Sequence, residues 1–349
     1  MRIRIVALAA VLAVVGASVA LGAGHGQKEY AWQLTPTGST AGLRGLSAVS
    51  ADVAWTSGSL GTVLRTVNRG ATWQNVSPPG ASALQFRDIE AFDALNAVIL
   101  SIGSGTDSRV YVTSDGGLTW TQTFTNPDPN AFYDCMTFFD RKRGLALSDP
   151  VDGKFRILAT EDGGRSWHVV AADMPAALPG EFAFAASGQC IVSEGGKHAW
   201  FATGGGAEAR VFRSDDRGES WEVTSTPVPS GPSAGIFALA FRNPRHGLVV
   251  GGDFAAPTVA PDAVALTDDG GANWRLAANP PGEYRSGAHW VTGREIVAVG
   301  PTGSDVSYDR GNTWVRFDDG SFDTVDCANP GACWASGTQG RVAYLVRSR

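Results

Sequence analysis

Three arginines and one aspartate recur at a single position of a repeated unit. Arg44, Arg87, Arg285 and Asp134 each stand at the start of a short apolar run that reads as the first strand of its unit. Converging guanidinium groups bind carboxylates or phosphates through paired N–H donors, so the arginines are candidates for gripping an acidic segment of a partner. Neighbouring strands of a meander run antiparallel. The loops Ser148-Asp149-Pro150 and Gly251-Gly252-Asp253 therefore open on the same side as those strand starts, and Asp134, Asp149 and Asp253 form an acidic sector facing the arginines. The competing reading is a set of local ion pairs, Arg87 with Asp88 and Arg285 with Glu283, which are common on surfaces and individually weak. Arg44 has no acidic neighbour within several residues.

Other chemistry finds little support. No His/Cys spacing resembles a zinc site, and the pairs Asp215-Asp216 and Asp268-Asp269 lack the remaining ligands of a calcium loop. There is no phosphate-cradling loop and no G-x-S-x-G elbow. No metal or cofactor is expected. The net charge of −6 over 349 residues argues against broad nucleic-acid binding, which needs a basic face.

The elements that must position these residues come from an internal repeat. Six segments follow Ser/Thr-x-Asp-x-Gly-x-Thr/Ser-Trp: Thr66 to Trp73, Thr113 to Trp120, Thr160 to Trp167, Ser214 to Trp221, Thr267 to Trp274 and Ser307 to Trp314, with Asn68 and Asn273 as substitutes. The Trp-to-Trp intervals of 47, 47, 54, 53 and 40 residues match a four-stranded propeller blade. Asn68, Asp115, Asp162, Asp216, Asp269 and Asp309 are read as structural: each side chain accepts a backbone N–H bond two residues on, while the Gly supplies a positive φ. The abundance of Gly (44) and Trp (11), with only 18% charged residues, fits short strands and tight turns.

Seven second strands accompany the six boxes: Ala54-Trp-Thr-Ser57, Ala97-Val-Ile-Leu-Ser101, Gly144-Leu-Ala-Leu-Ser148, Trp200-Phe-Ala-Thr203, Gly247-Leu-Val-Val-Gly251, Ile296-Val-Ala-Val-Gly300 and Cys333-Trp-Ala-Ser336. The chain ends one strand later, and the missing outer strand is Tyr30-Ala-Trp-Gln-Leu34 at the other end. The predicted fold is all-β: a single seven-bladed β-propeller over residues 24–349, built of four-stranded antiparallel blades and closed by pairing the N-terminal strand with the C-terminal blade. Closure removes exposed sheet edges.

Residues 1–23 read as a signal peptide: Arg2 and Arg4, an apolar run from Ile5, then small residues including Ser18 and Ala20. The alternative is an uncleaved anchor, since the apolar stretch reaches spanning length. Either way the body lies outside the cytoplasm, periplasmic or secreted, where disulfides form. Cys327 and Cys333 flank a turn-rich loop and are expected to bridge across a hairpin. Cys135, at the start of one inner strand, and Cys190, read as following the end of the next, are separated by about 15 Å of strand, and both are expected to be unpaired.

The boxes ending at Trp73, Trp120, Trp167, Trp221, Trp274 and Trp314, the end-to-end closure, and the strand starts Phe86-Arg87 and Tyr284-Arg285 together resemble the photosystem II stability/assembly factor family of BNR/Asp-box propellers. The resemblance covers the whole mature chain. It implies a non-enzymatic assembly factor that engages a membrane-protein partner through an arginine patch, here Arg44, Arg87 and Arg285. This sequence departs from the family pattern by insertions at residues 149–154 and 254–262.

The leading functional expectation is a monomeric, non-catalytic binding module that presents one rim to a protein partner. The alternative is a sialidase-like glycoside hydrolase in which the arginines hold a substrate carboxylate and Asp134 or Asp149 acts. Phe241-Arg-Asn-Pro244 is close to a sialidase signature but falls at the end of an inner strand in blade five, and no Tyr-Glu pair is placed on this rim.

Overall fold

The apolar runs form strands because their β-branched and small residues fill space between sheets on both faces. Ala54–Gly58, Ile296–Gly300 and Ala332–Ser336 are buried along their full length. The outermost strands are short and solvent-facing, such as Gln74–Asn75 and His168–Val169. A computed structural model describes residues 30–328 and 331–347, and the leader assigned to residues 1–23 lies outside them.

The described residues form seven four-stranded antiparallel sheets. Their inner strands, in chain order from blade 1 to blade 7, are Leu43–Ala48, Gln85–Ala91, Tyr133–Phe138, Ile191–Glu194, Ala234–Phe241, Gly287–Trp290 and Thr324–Ala328. Each blade then meanders outward. Blade 2, for example, continues through Ala97–Ile102, Arg109–Thr113 and Thr121–Thr125.

Blade 7 is completed by the N-terminal strand. Tyr30–Leu34 pairs antiparallel with Val342–Arg347 in the register Tyr30↔Arg347, Trp32↔Leu345 and Leu34↔Ala343. The ring is therefore closed by hydrogen bonds between the two ends of the chain. The core is a set of layers between blades, and tryptophans of the second strands wedge it. Trp55, Trp200 and Trp334 are fully buried, and their indole N–H groups donate to Asp93 O, Gly270 O and Ser50 O of neighbouring blades.

The repeated turns carry a denser bond network than an Asx turn alone. In blade 2, Asp115 accepts from the Thr119 backbone N–H (2.9 Å) and from its hydroxyl (2.6 Å), four residues on where the sequence suggested two. The leading Thr113 hydroxyl donates to Asp115 and accepts from Gly117 N–H. Two consecutive residues take positive φ where one was expected. The first is an arginine in three of the turns: Arg69 (57°), Arg217 (66°) and Arg310 (67°).

Cys327 and Cys333 pair directly across their hairpin and are joined, with Cα atoms 4.0 Å apart. Cys135 and Cys190 are also joined, with Cα atoms 6.2 Å apart, contrary to the expectation that both are unpaired. That expectation placed Cys190 after an inner strand. The strand of blade 4 begins at Ile191, so Cys190 sits at its start, level with Cys135.

What precedes Cys190 is a segment that crosses the axis of the ring. Phe182 exchanges backbone bonds with Gly204, and Gln189 then reaches blades 5, 6 and 7. The Gln189 carbonyl accepts from Leu239 N–H, its side-chain amide donates to Ala288 O and Val325 O, and its side-chain oxygen accepts from Ala288 N–H. Thr324 donates to Ser187 O, and Gly188, at φ 76°, lies so close to Asp88 that a β-carbon would meet its carboxylate at 2.7 Å. The central channel is thus plugged by residues 182–189. Buried Glu181, bonded to Arg210, Thr203 and Leu178 N–H, pins the start of the plug, and the Cys135–Cys190 bridge pins its end.

Candidate functional site: the plugged channel mouth

Four inner strands slip register by one residue near their start: at Arg44, Arg87, Asp134 and Phe237. A bulge leaves one residue unpaired and re-aims its side chain. Three of these residues, Arg44, Arg87 and Phe237, line a cavity of about 530 Å³ at the channel mouth. The fourth does not: Asp134 is 2% exposed.

The cavity has a cationic side and an apolar side. Arg44 lies 3.7 Å from Asp323, whose other carboxylate oxygen is buried with no hydrogen-bond partner. Arg87 donates to the plug carbonyl of Ala185 (2.9 Å). Burial, and then the nearby Arg44 charge, lower its pKa to about 10, with Asp323 and Asp134 acting the other way. Two guanidiniums held this close, one of them largely desolvated, gain from an incoming anion.

The apolar side is built from three separate parts of the chain. Plug residue Phe184 stacks on Phe237 at 3.9 Å, and Tyr284 meets Phe237 edge-on at 4.7 Å. Phe254 closes the group at 6.2 Å from both Phe184 and Phe237.

The remaining predicted site residues fall elsewhere. Arg285 is 1% exposed and is held by blade 6: its Nε donates to Asp305 (2.7 Å), and one terminal nitrogen donates to Thr302 (2.8 Å) and Tyr284 O (2.9 Å). It also pairs with Glu283, so the local ion pair is the one that forms and Arg285 does not join the mouth. Asp88, by contrast, turns away from Arg87 and accepts from Ile89 and Met136 N–H.

The acidic sector is not presented as a sector. Asp149 accepts from plug residue Ala183 N–H (2.9 Å), and burial pushes its carboxyl up to about 6. Burial and the Asp149 charge hold Asp134 well above the usual carboxylate range. Both are withdrawn into the base of the plug because the crossing segment covers them. Asp253 caps its own loop through Ala255 N–H.

Sequence reasoning missed the plug and the aromatic wall. Phe237 is legible in principle, because as the bulge of blade 5 it holds the position at which blades 1 and 2 carry arginine. At the opposite mouth a second cavity, of about 280 Å³, holds Asp88, Glu90, Asp326 and His289 beneath Gln189. His289 faces Asp326 (3.3 Å) with one ring nitrogen and Trp290 O (3.0 Å) with the other.

Comparison with known proteins returns no matching family model. The xyloglucanase Xgh74A of Acetivibrio thermocellus is 23% identical over 252 residues, which is 62% of this chain but 28% of that enzyme; this chain thus spans under a third of its curated relative. Among solved structures, YCF48 bound to a D1 peptide superposes with a TM-score of 0.65 at 15% identity, covering 91% of this chain and 95% of that one. YCF48 from Cyanidioschyzon merolae gives 0.64 at 14%, covering 90% and 98%. The GH74 xyloglucanase from Xanthomonas campestris gives 0.63 at 15%, covering 90% of this chain and 53% of the enzyme. In architecture this chain is a seven-bladed propeller similar to the photosystem II assembly factor YCF48 over nearly its whole length, and to xyloglucanases over part of theirs.

Proposed function

We propose that this protein is a non-catalytic peptide-binding propeller working outside the cytoplasm, periplasmic or secreted, with residues 1–23 serving as export signal or retained anchor. Its plugged mouth engages an acidic segment of a protein partner. The observation that carries the reading is the pair Arg44 and Arg87, brought by bulges of adjacent blades to one cavity where a protein carboxylate already balances part of their charge. The likeness in fold to YCF48, whose structure was solved with a D1 peptide, supports a peptide as ligand.

The test is fluorescence anisotropy with labelled acidic and basic peptide pools. Acidic pools should bind, more weakly as salt rises, and Arg44→Glu or Arg87→Glu should weaken binding by at least about tenfold in protein that circular dichroism shows to be folded. Equal binding by the charge-reversed variants would overturn the reading.

A second reading is a glycoside hydrolase in which the arginines hold a substrate carboxylate and Asp134 or Asp149 acts; the partial likeness to Xgh74A supports it. Sugar release from xyloglucan or fluorogenic sialosides that is lost in Asp134→Asn would favour it over peptide binding.

A further inference from the structure

We propose that residues 254–262 form one jaw of the mouth and select a large apolar side chain next to the acidic residue of the bound peptide. This rests on the peptide-binding reading above.

Between Asp253 and Asp262 the loop carries no charge, and Phe254 (52%) and Val259 (65%) are exposed. Their exposure does not come from a frayed loop, because the backbone is bonded at both ends. Phe254 N–H donates to Ser233 O, Ala260 N–H donates to Gly282 O, and Pro257 O accepts from Tyr284 N–H. Ala255 N–H is capped by Asp253. A fixed backbone that holds apolar side chains in water marks an interaction surface.

The Phe254 ring extends the floor made by Phe184, Phe237 and Tyr284, while Arg44 and Arg87 line the same cavity. One ligand satisfies both sides only if an anion and a bulky apolar group lie close together on it. Asp323 lines the same mouth and offsets part of the arginine charge.

The test uses synthetic peptides with one central Asp or Glu in a Gly/Ser background, with Phe, Leu or Ala placed at each flanking position in turn. Affinities are measured on the unmodified protein, Phe254→Ala and Val259→Ser. The best Phe or Leu peptide should bind about tenfold to a hundredfold tighter than its Ala counterpart, as expected for burying such a side chain. Phe254→Ala should lose that preference, the Phe, Leu and Ala peptides then binding with similar affinity. Acidic peptides that bind with no apolar preference, or a preference retained in both variants, would sink the jaw while leaving the peptide reading intact. Failure of every acidic peptide to bind would overturn both.

Discussion

Arg44 and Arg285 looked equivalent in the repeat, yet their replacement by methionine should have very different consequences. The guanidinium of Arg285 is 1% exposed and makes its bonds to Asp305, Thr302 and Tyr284 O inside blade 6. Asp305 is itself buried, and the Arg285 guanidinium is the charge that offsets its burial. Removing the arginine leaves a carboxylate in a dry site. Breaking a buried pair from one side costs about 3–5 kcal/mol. Arg44 is about a third exposed and sits 3.7 Å from the buried Asp323, and Arg87 stays beside that carboxyl when Arg44 is removed, so losing Arg44 should cost less. Urea unfolding followed by tryptophan fluorescence should therefore show a large drop in midpoint for Arg285→Met and a clearly smaller one for Arg44→Met. Peptide affinity should behave oppositely, falling for Arg44→Met and surviving in folded Arg285→Met. Adding Asp305→Leu to Arg285→Met should recover much of the lost stability, because the stranded charge is removed. Stability losses within about 1 kcal/mol of each other, in units where surface and buried pairs differ severalfold, would refute the placement of Arg285.

The two disulfides close loops of different length, spanning 55 and 6 residues. On chain entropy alone, Cys135→Ala/Cys190→Ala should cost about 4 kcal/mol and Cys327→Ala/Cys333→Ala about 2 kcal/mol, readable from urea midpoints; a reversed ranking would contradict the assignment. Stability should also fall as pH rises from about 4, through the Asp149 range near 6 and on towards 8. Burial raises Asp149 to about 6 and also raises Asp88, so the folded state holds protons that the unfolded chain has released. In the other direction, Asp115 is held at about 2 by the Thr119 hydroxyl and backbone N–H, and Asp162, Asp216, Asp269 and Asp309 are also lowered, so stability is lost as pH drops below about 4. Melting temperatures measured across this range should decline less steeply in Asp149→Asn, and an unchanged slope would count against the buried carboxyl.

Most of the architecture is legible in the sequence, because its causes are local. The box at Thr113 to Trp120 depends on a turn that closes within eight residues, and the second strand at Ala97 declares itself by composition. Counting seven such strands against six boxes required a split blade, and Tyr30–Leu34 supplies its missing strand. The site was only partly legible. Arg44 and Arg87 were found from their shared position, and that position proved to be a bulge. Arg285 shares the sequence pattern but not the geometry, since it precedes the strand of blade 6 and an acid of the third strand captures it.

Repeat spacing, turn chemistry and strand composition thus determined by themselves the number of blades, since each rests on interactions between near neighbours in the chain, and the strand left over at the N-terminus implied how the ring closes. Only the tertiary structure decided what fills the ring. Residues 182–189 have no periodicity to read, and their partners are spread over blades 2 to 7, as much as 137 residues away. That crossing joins Cys190 to Cys135, covers Asp134, bonds Asp149, and sets Phe184 beside Phe237 and Phe254. Burial and side-chain direction at a bulge are properties of the closed ring, so the mouth exists only once the blades have met.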